Sequence, residues 1–501
     1  MRYDFRRKEF IETDITPNKL AVAGSDRDIT WNELKLEVEK LSGQFNSLNI
    51  PKGHPVIIYG HKEANYMVAI LACIHASIPY IPTDIIYPEE RIQKIKTTTG
   101  SQVLLNVSDN MLTLDFPICF NAQLSCVKKE TPDFTDRVYG EPEKDPLQYI
   151  IFTSGSTGEP KGVQITRDAA IAFTDWLRND YGFTGNDVFI NQAPFTFDLS
   201  MYDVLSNFVM GGTIVLNSAE LFKNQDAYLK RLNDYKGSVW FSTPSFGFMF
   251  LRHPGFNQQN LPHLRILLFI GEELPNRTPK ILKGLFPDAT IYNAYGPTEA
   301  TVATTLIEIT HDIIDRCPSL PIGYAMPGST LSIEKVDPND KEGELIIAGP
   351  HVSIGYFKSP ELNSQKYFIQ QGERAFKTGD LAYFEGDVLF FIGRNDNQVK
   401  MNGFRIELGE ITNVIAGNPA VIEAITLPLK RNSEVKKLVS FVQLNTASNA
   451  EQVKSELLHT MEKKLPNYMI PGDIVVVNDF PYNQNHKIDG KKLVTDYIAS
   501  I

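Results

Sequence analysis

Cysteine is scarce in this chain. Cys73, Cys119, Cys126 and Cys317 are the only four in 501 residues, and no two of them make a CxxC pair. Too few to staple a chain of this length, they read as reduced thiols of a cytoplasmic protein. Basic charge is in deficit as well. Lys plus Arg number 49 against 60 Asp plus Glu, a formal net charge of −11. That balance argues against a broad nucleic-acid or anionic-membrane surface, which would need a basic face. Long apolar runs are missing. The longest, Met67 to Ile74, falls far short of the roughly 20 residues that span a bilayer. The first residues, Met1 to Lys8, are charged and lack the apolar core of a signal peptide. No internal repeat or low-complexity tract interrupts the chain. What remains is 42% hydrophobic and 22% charged, the composition of a folded protein with ample core. At roughly 150 residues per domain, about three folding units fit.

Short apolar runs alternate with helical patterns, the rhythm of layered α/β structure. Val56 to Tyr59 reads as a buried strand and Met67 to His75 as the apolar part of a following helix. Three further apolar runs discharge into polar loops: Tyr149 to Phe152 into Thr153, Ile266 to Ile270 into Gly271, and Ala289 to Tyr292 into Asn293. In open α/β sheets, ligands gather beyond the carboxyl ends of strands. From about Lys341 the units shorten and become strand-like (Glu344 to Ala348, Ala375 to Thr378, Val388 to Ile392), which predicts a small β subdomain. Beyond Asp396 a separate α+β unit is predicted. Val453, Leu457, Leu458, Met461 and Leu465 keep helical spacing between strands at Glu423 to Leu427, Leu438 to Leu444 and Ile474 to Val477. The reading is a large N-terminal domain over 1–395 and a small mobile domain over 396–501.

One loop carries an anion-binding pattern. Thr153, Ser154, Gly155, Ser156, Thr157 and Gly158 precede Pro160, Lys161 and Gly162. Glycines let backbone N–H groups approach an anion, hydroxyls donate to phosphate oxygens, and Lys161 adds a full charge. A generic Ser/Gly cluster is a solvated loop, but here a buried strand feeds it directly. It is not a Walker A loop, which places Gly where Pro160 stands before the Lys.

That loop resembles the phosphate loop of the adenylate-forming superfamily, which includes acyl-CoA synthetases, luciferases and peptide-synthetase adenylation domains. Four more segments match in the family's order: Asn293, Ala294, Tyr295, Gly296, Pro297, Thr298 and Glu299; Phe376 to Asp380; Gly393 to Glu407; and Asn485 to Asp489. The resemblance covers nearly the whole chain and implies ATP and Mg²⁺ as cofactors. By the same resemblance, Asp380 and Arg394 reach the ribose, Tyr295 stacks on adenine and Glu299 helps hold Mg²⁺. Asp396 is the interdomain pivot. Lys487 is the catalytic ammonium between a substrate carboxylate and the α-phosphate, where it offsets the repulsion of two anions. His486 stands where the family has Gly.

The segment Phe197 to Asp203 matches the one that, in amino-acid-activating members, offers a carboxylate to the substrate ammonium; here that residue is Asp198. A substrate without the charge would leave Asp198 unpaired, which disfavours a fatty-acid substrate and acyl-CoA synthesis. Asp198 also reads as the N-cap of a helix beginning near Leu199. The family's pocket wall falls on Leu199, Tyr202, Ser242, Leu268, Ile270, Ala294, Val302 and Ala303. Ile270 replaces a Cys of ligases that charge D-alanine for teichoic-acid esterification, the subfamily this chain resembles most. A small uncharged amino acid, D-alanine foremost, is the implied substrate. The alternative is a free-standing peptide-synthetase-type enzyme for another small neutral residue in a secondary-metabolite pathway. No Asp-Ser dipeptide is present and so no built-in phosphopantetheine attachment site; a separate carrier protein is implied, with Gly403 leaving room for its arm in a thioester step. His311 and Asp315 form a lone HxxxD and read as structural. Loss of the loops would be expected of a non-catalytic nucleotide-binding module, yet Lys161, Glu299, Asp380, Arg394 and Lys487 all stand.

Overall fold

A buried apolar segment must pair its backbone groups, and a run too short for a stable helix does so in a sheet. Val56–Gly60 is buried at every residue. The helix Ala64–Ala76 that follows is buried from Ala64 to Ile74, the mark of a helix inside a core rather than on its surface. The chain returns as Tyr80–Asp84, parallel to Val56–Gly60, with Val56 opposite Tyr80 and Gly60 opposite Asp84. The computed structural model describes residues 1–13, 18–132, 134, 146–155, 159–335, 337, 339–394, 398–431, 434–445, 449–481 and 488–500.

The described chain divides into two compact units. Met1–Ile85, Lys96–Phe152 and Gly162–Asn395 form the larger; Ile86–Ile95, Thr153–Lys161 and Asp396–Ile501 form the smaller. A single cut near residue 396 leaves out two short N-terminal stretches that group with the C-terminal residues.

Two mixed sheets build most of the larger unit, one of seven strands and one of nine among the described residues. In the nine-stranded sheet, Val188–Asn191, Val239–Ser242, Ile266–Phe269 and Thr290–Tyr295 are successive parallel neighbours. These strands are almost wholly buried, as expected where layers cover both faces. Register aligns their ends: Ser242 lies opposite Phe269, and Phe269 opposite Asn293. Asn293, Ala294 and Tyr295, expected in a loop, are the last residues of a strand. Thr305–Glu308 returns antiparallel and pairs Tyr295 with Thr305, and that ladder holds their polar backbone in the sheet. A smaller sheet follows, in which the long strand Glu373–Glu385 pairs with Gly343–Ala348 and Val388–Arg394. It accounts for the strand-like texture of this region.

The smaller unit opens with the hairpin Gln398–Met401 and Phe404–Glu407. Asn402 and Gly403 form its two-residue turn with φ of 51° and 85°, the pair of positive values that an Asn-Gly turn supplies. The helix Leu408–Ala416 and the sheet of Val421–Arg431, Glu434–Leu444 and Asp473–Val477 complete its frame. In the helix Ala450–Lys464, Val453, Leu457 and Met461 are buried as their spacing predicts. Leu458 differs: it is exposed, because it falls one residue off the buried stripe. Among the described residues no helix is long and apolar enough to cross a membrane.

Candidate functional site

The larger unit brings Asp380, Arg394 and Tyr295 together. Cross-strand register sets Asp380 directly opposite Arg394, so an Arg–carboxylate pair forms across the ladder. Arg394 Nη1 lies 2.5 Å from Asp380 Oδ1, and the Tyr295 hydroxyl donates to Oδ2 at 2.5 Å. Thr378 fixes the turn: its hydroxyl donates to the Leu345 carbonyl at 2.7 Å and accepts the Asp380 N–H at 3.0 Å. Burial, reinforced by the Asp380 charge, pushes the Tyr295 phenol well above its ordinary range, so the O–H stays a donor. Each Asp380 oxygen has taken one side-chain donor and retains capacity for one more. Two adjacent hydroxyls are the natural partners for that pair of oxygens.

Glu299 sits in the short 3₁₀ turn Thr298–Ala300, entered through Pro297, and is fully buried. Its Oε1 accepts from the Tyr356 hydroxyl at 2.6 Å and its carbonyl from the Ser353 N–H at 2.8 Å. Gly296 is required by close approach: a Cβ there would stand 2.4 Å from the Ala303 Cα. The Asn293 amide turns to the Pro321 carbonyl at 2.8 Å, which ties this strand end to the neighbouring loop.

The residues expected to wall an amino-acid pocket all lie in the buried core of the larger unit. Leu199, Tyr202, Leu268, Ile270, Ala294, Val302 and Ala303 share one buried cluster. Ser242, Leu268, Ile270 and Ala294 stand at or just beyond the carboxyl ends of three neighbouring strands. Tyr202 stacks on Phe241 with centroids 4.9 Å apart, and its hydroxyl shares a 3.0 Å hydrogen bond with that of Tyr181. The Ser242 hydroxyl is used internally, donating to the Thr243 carbonyl at 2.9 Å and accepting from Trp240 Nε1 at 2.7 Å. Asp198 is buried just before the helix Ser200–Met210. It is not the helix cap. Leu199 holds that position and no side chain caps the helix, because the turn Phe197 to Tyr202 already closes through backbone bonds.

In the smaller unit, carboxylates rest on the donors of the Ser/Gly loop. The Gly155 N–H donates to Glu410 Oε2 at 3.0 Å, and Lys161 Nζ lies 3.4 Å from Glu407 Oε1. The Ser154 hydroxyl donates to the Arg405 carbonyl at 2.9 Å and accepts the Glu407 N–H at 3.0 Å. Arg91 pairs with Glu410 at 2.9 Å, both side chains only 2% exposed. Burial opposes the Arg91 charge, but Glu410 and neighbouring tyrosines outweigh it and raise its pKa. These donors therefore hold anionic oxygen. Ser156, Thr157, Gly158, Asp396 and Lys487 lie outside the described residues. Sequence reasoning missed Tyr356, Arg91 and Glu410. Nothing local marks them: their partners lie 57 residues away for Tyr356 and 319 for the Arg91–Glu410 pair.

Known proteins resemble this chain along nearly its whole length. Residues 12–357 match the family model described as AMP-binding enzyme, and residues 410–487 match the AMP-binding enzyme C-terminal domain. The chain is 37% identical over 494 residues to a D-alanine–D-alanyl carrier protein ligase of Bacillus anthracis, covering 97% of each. Its fold is similar to the crystal structure of IdnL1, with a TM-score of 0.80 and 25% identity over 93% of this chain and 96% of that one. The adenylation domain AlmE of Vibrio cholerae, solved with glycyl-adenosine-5′-phosphate, is similar in fold, with a TM-score of 0.81 and 21% identity over 96% and 95% of the two chains.

Proposed function

This chain belongs to the AMP-binding enzyme family, and from that premise we propose that it activates a small amino acid, D-alanine foremost, with ATP and loads it onto a separate carrier protein. The observation that carries the nucleotide half is Asp380, buried and held by Arg394 and Tyr295 with one acceptor position open on each oxygen. A ribose diol fits those two positions. Similarity to the Bacillus anthracis ligase along 97% of the chain supports D-alanine, and the buried Asp198 carboxylate supplies the counter-charge for an α-ammonium.

In the first step a substrate carboxylate oxygen bonds to the α-phosphorus of ATP and the bond to pyrophosphate breaks. Asp380 and Arg394 hold the ribose, and Asp198 holds the ammonium. The pocket wall excludes large side chains, and Gly155 and Lys161 bind phosphate oxygens. Lys487, assigned from its motif, places an ammonium where the two anions meet. The residues also fit Mg²⁺. It takes few protein carboxylates and several phosphate oxygens, and Glu299 offers a fully buried carboxylate. Glu299, anchored on one oxygen by Tyr356, would hold it, and the ion would neutralise phosphate charge. In the second step a phosphopantetheine sulfur attacks the acyl carbon, AMP leaves and the thiol gives up its proton. Asp396 as pivot and Gly403 beside the arm belong to this step.

Pyrophosphate exchange across D- and L-alanine, glycine, serine, valine and proline tests the proposal. D-alanine should exchange fastest; a profile independent of the amino acid rejects it.

A further inference from the structure

Two residues in the pocket segment adopt backbone conformations that their side chains oppose. Thr301 and Val302 have φ of 48° and 72°, and for β-branched residues such values are outliers. The Ala303 N–H donates to the Thr301 carbonyl at 2.9 Å, closing a γ-turn of the rare positive-φ hand at Val302. Strain of this kind persists only where the surroundings over-determine it, and it concentrates at functional sites.

The surroundings converge on His351, which is wholly buried. Its backbone carbonyl accepts the Thr301 hydroxyl at 2.6 Å. Its ring nitrogens face two hydroxyls: Nε2 is 3.0 Å from Thr304 Oγ1 and Nδ1 is 3.2 Å from Ser329 Oγ. Backbone bonds complete the brace. The Thr304 N–H reaches the Tyr295 carbonyl at 2.7 Å, and the Met326 N–H reaches the Thr304 carbonyl at 2.7 Å. His351 thus meets the strained turn on both sides, through its backbone carbonyl at Thr301 and its ring at Thr304, and the turn carries Val302 and Ala303.

We propose that His351 is a positioning residue for side-chain selectivity, bracing the Thr301–Val302 turn so that Val302 and Ala303 close the amino-acid pocket at a set depth. The inference rests on the amino-acid-activating reading above. Burial lowers the imidazole pKa to about 3, so the ring stays neutral at working pH, with one nitrogen donating and the other accepting. A relaxed turn would widen the pocket, and a difference of one methylene in such a wall changes discrimination roughly 10- to 200-fold.

The test compares His351→Leu, which keeps bulk but loses both ring contacts, with His351→Gln, which restores a donor and an acceptor. The readout is kcat/KM in pyrophosphate exchange for D-alanine and D-valine, with active sites titrated by single-turnover adenylate formation. In His351→Leu the D-alanine to D-valine ratio should fall by about tenfold while KM for ATP stays within about twofold. His351→Gln should recover most of the ratio. A purely structural role would lower the active fraction and leave the ratio alone, and that result overturns the proposal. If His351→Leu does not fold, Thr304→Val removes one ring partner and must shift the same ratio; an unchanged ratio there is equally decisive. Wild-type protein that exchanges with no amino acid rejects the functional reading itself, whereas exchange with an unmoved ratio rejects only the role of His351.

Discussion

Replacing Asp380 by Asn keeps the shape of the side chain and removes its charge. In the native site the carboxylate is 4% exposed and takes Tyr295 on one oxygen and Arg394 on the other, each at 2.5 Å. Two acceptor positions remain for the ribose hydroxyls. A hydrogen bond to a charged group contributes about 1.5–3 kcal/mol and a neutral one about 0.5–1.5. Two bonds weakened by about 1 kcal/mol each, with an amide N–H₂ now facing one donor, give a loss of about 2–3 kcal/mol. At 1.36 kcal/mol per decade that is roughly a 30- to 150-fold rise in KM for ATP. The D-alanine KM should stay within about threefold, since Asp198 and the pocket wall are untouched. Pyrophosphate exchange at varied ATP and fixed D-alanine reads both constants, and a thermal melt confirms that the variant is folded. Tyr295→Phe is the control: the charge stays, one donor is lost, and KM for ATP should rise less. A folded Asp380→Asn enzyme with KM for ATP within about threefold of wild type would refute the assignment of Asp380 to the ribose.

Asp198→Asn should raise the D-alanine KM by about two decades, the effect of losing a buried counter-charge worth about 2–3 kcal/mol, and leave ATP binding in place; a KM unchanged for D-alanine assigns the ammonium elsewhere. Glu407 rests on Lys161 and also accepts from Gln398 at 2.8 Å, so a phosphate bound at Lys161, as proposed, would have to displace it. Glu407→Gln should tighten ATP binding by roughly fivefold, about 1 kcal/mol, as calorimetric titration would show; weaker binding contradicts the competition. Burial lowers the pKa of His54 to about 4 and of His351 to about 3, below the unfolded value near 6.5. Their contribution is complete above pH 6.5 and is lost as pH falls toward the folded values. Stability should therefore drop between pH 6.5 and 4, by roughly 3 kcal/mol per pH unit for the two together, and His351→Gln should lower that slope by about half in denaturant titrations. Asp396→Pro should spare pyrophosphate exchange and abolish thioester formation, because only the second step needs the pivot; equal loss of both counts against a pivot at that position.

Local chemistry was legible wherever it depends on neighbours in the chain. The buried strand Val56–Gly60 and the helix after it follow from apolar period alone. Ser242, Leu268, Ile270 and Ala294 stand at or just beyond strand ends, as the apolar runs and their terminal loops imply. Asn293 to Tyr295 misled, because an Asn-Ala-Tyr run leading into Gly-Pro reads as loop until an antiparallel partner at Thr305 is supplied. Asp198 misled for a related reason: a carboxylate before a helix suggests a cap, yet the backbone turn had already satisfied the helix start.

By itself, then, the sequence determined where the apolar strands and helices run, which segments carry glycine, hydroxyl and charge, and so which chemistry is on offer. Tertiary structure decided the partnerships. It set Arg394 on Asp380 by sheet register, Tyr356 on Glu299, Arg91 on Glu410 and His351 beneath a strained turn at Val302. Periodicity specifies a face; it does not name the side chain that will meet it from 50 or 300 residues away. Only the closed fold excludes water from those pairs and makes their charges and hydrogen bonds strong enough to hold the site in one geometry.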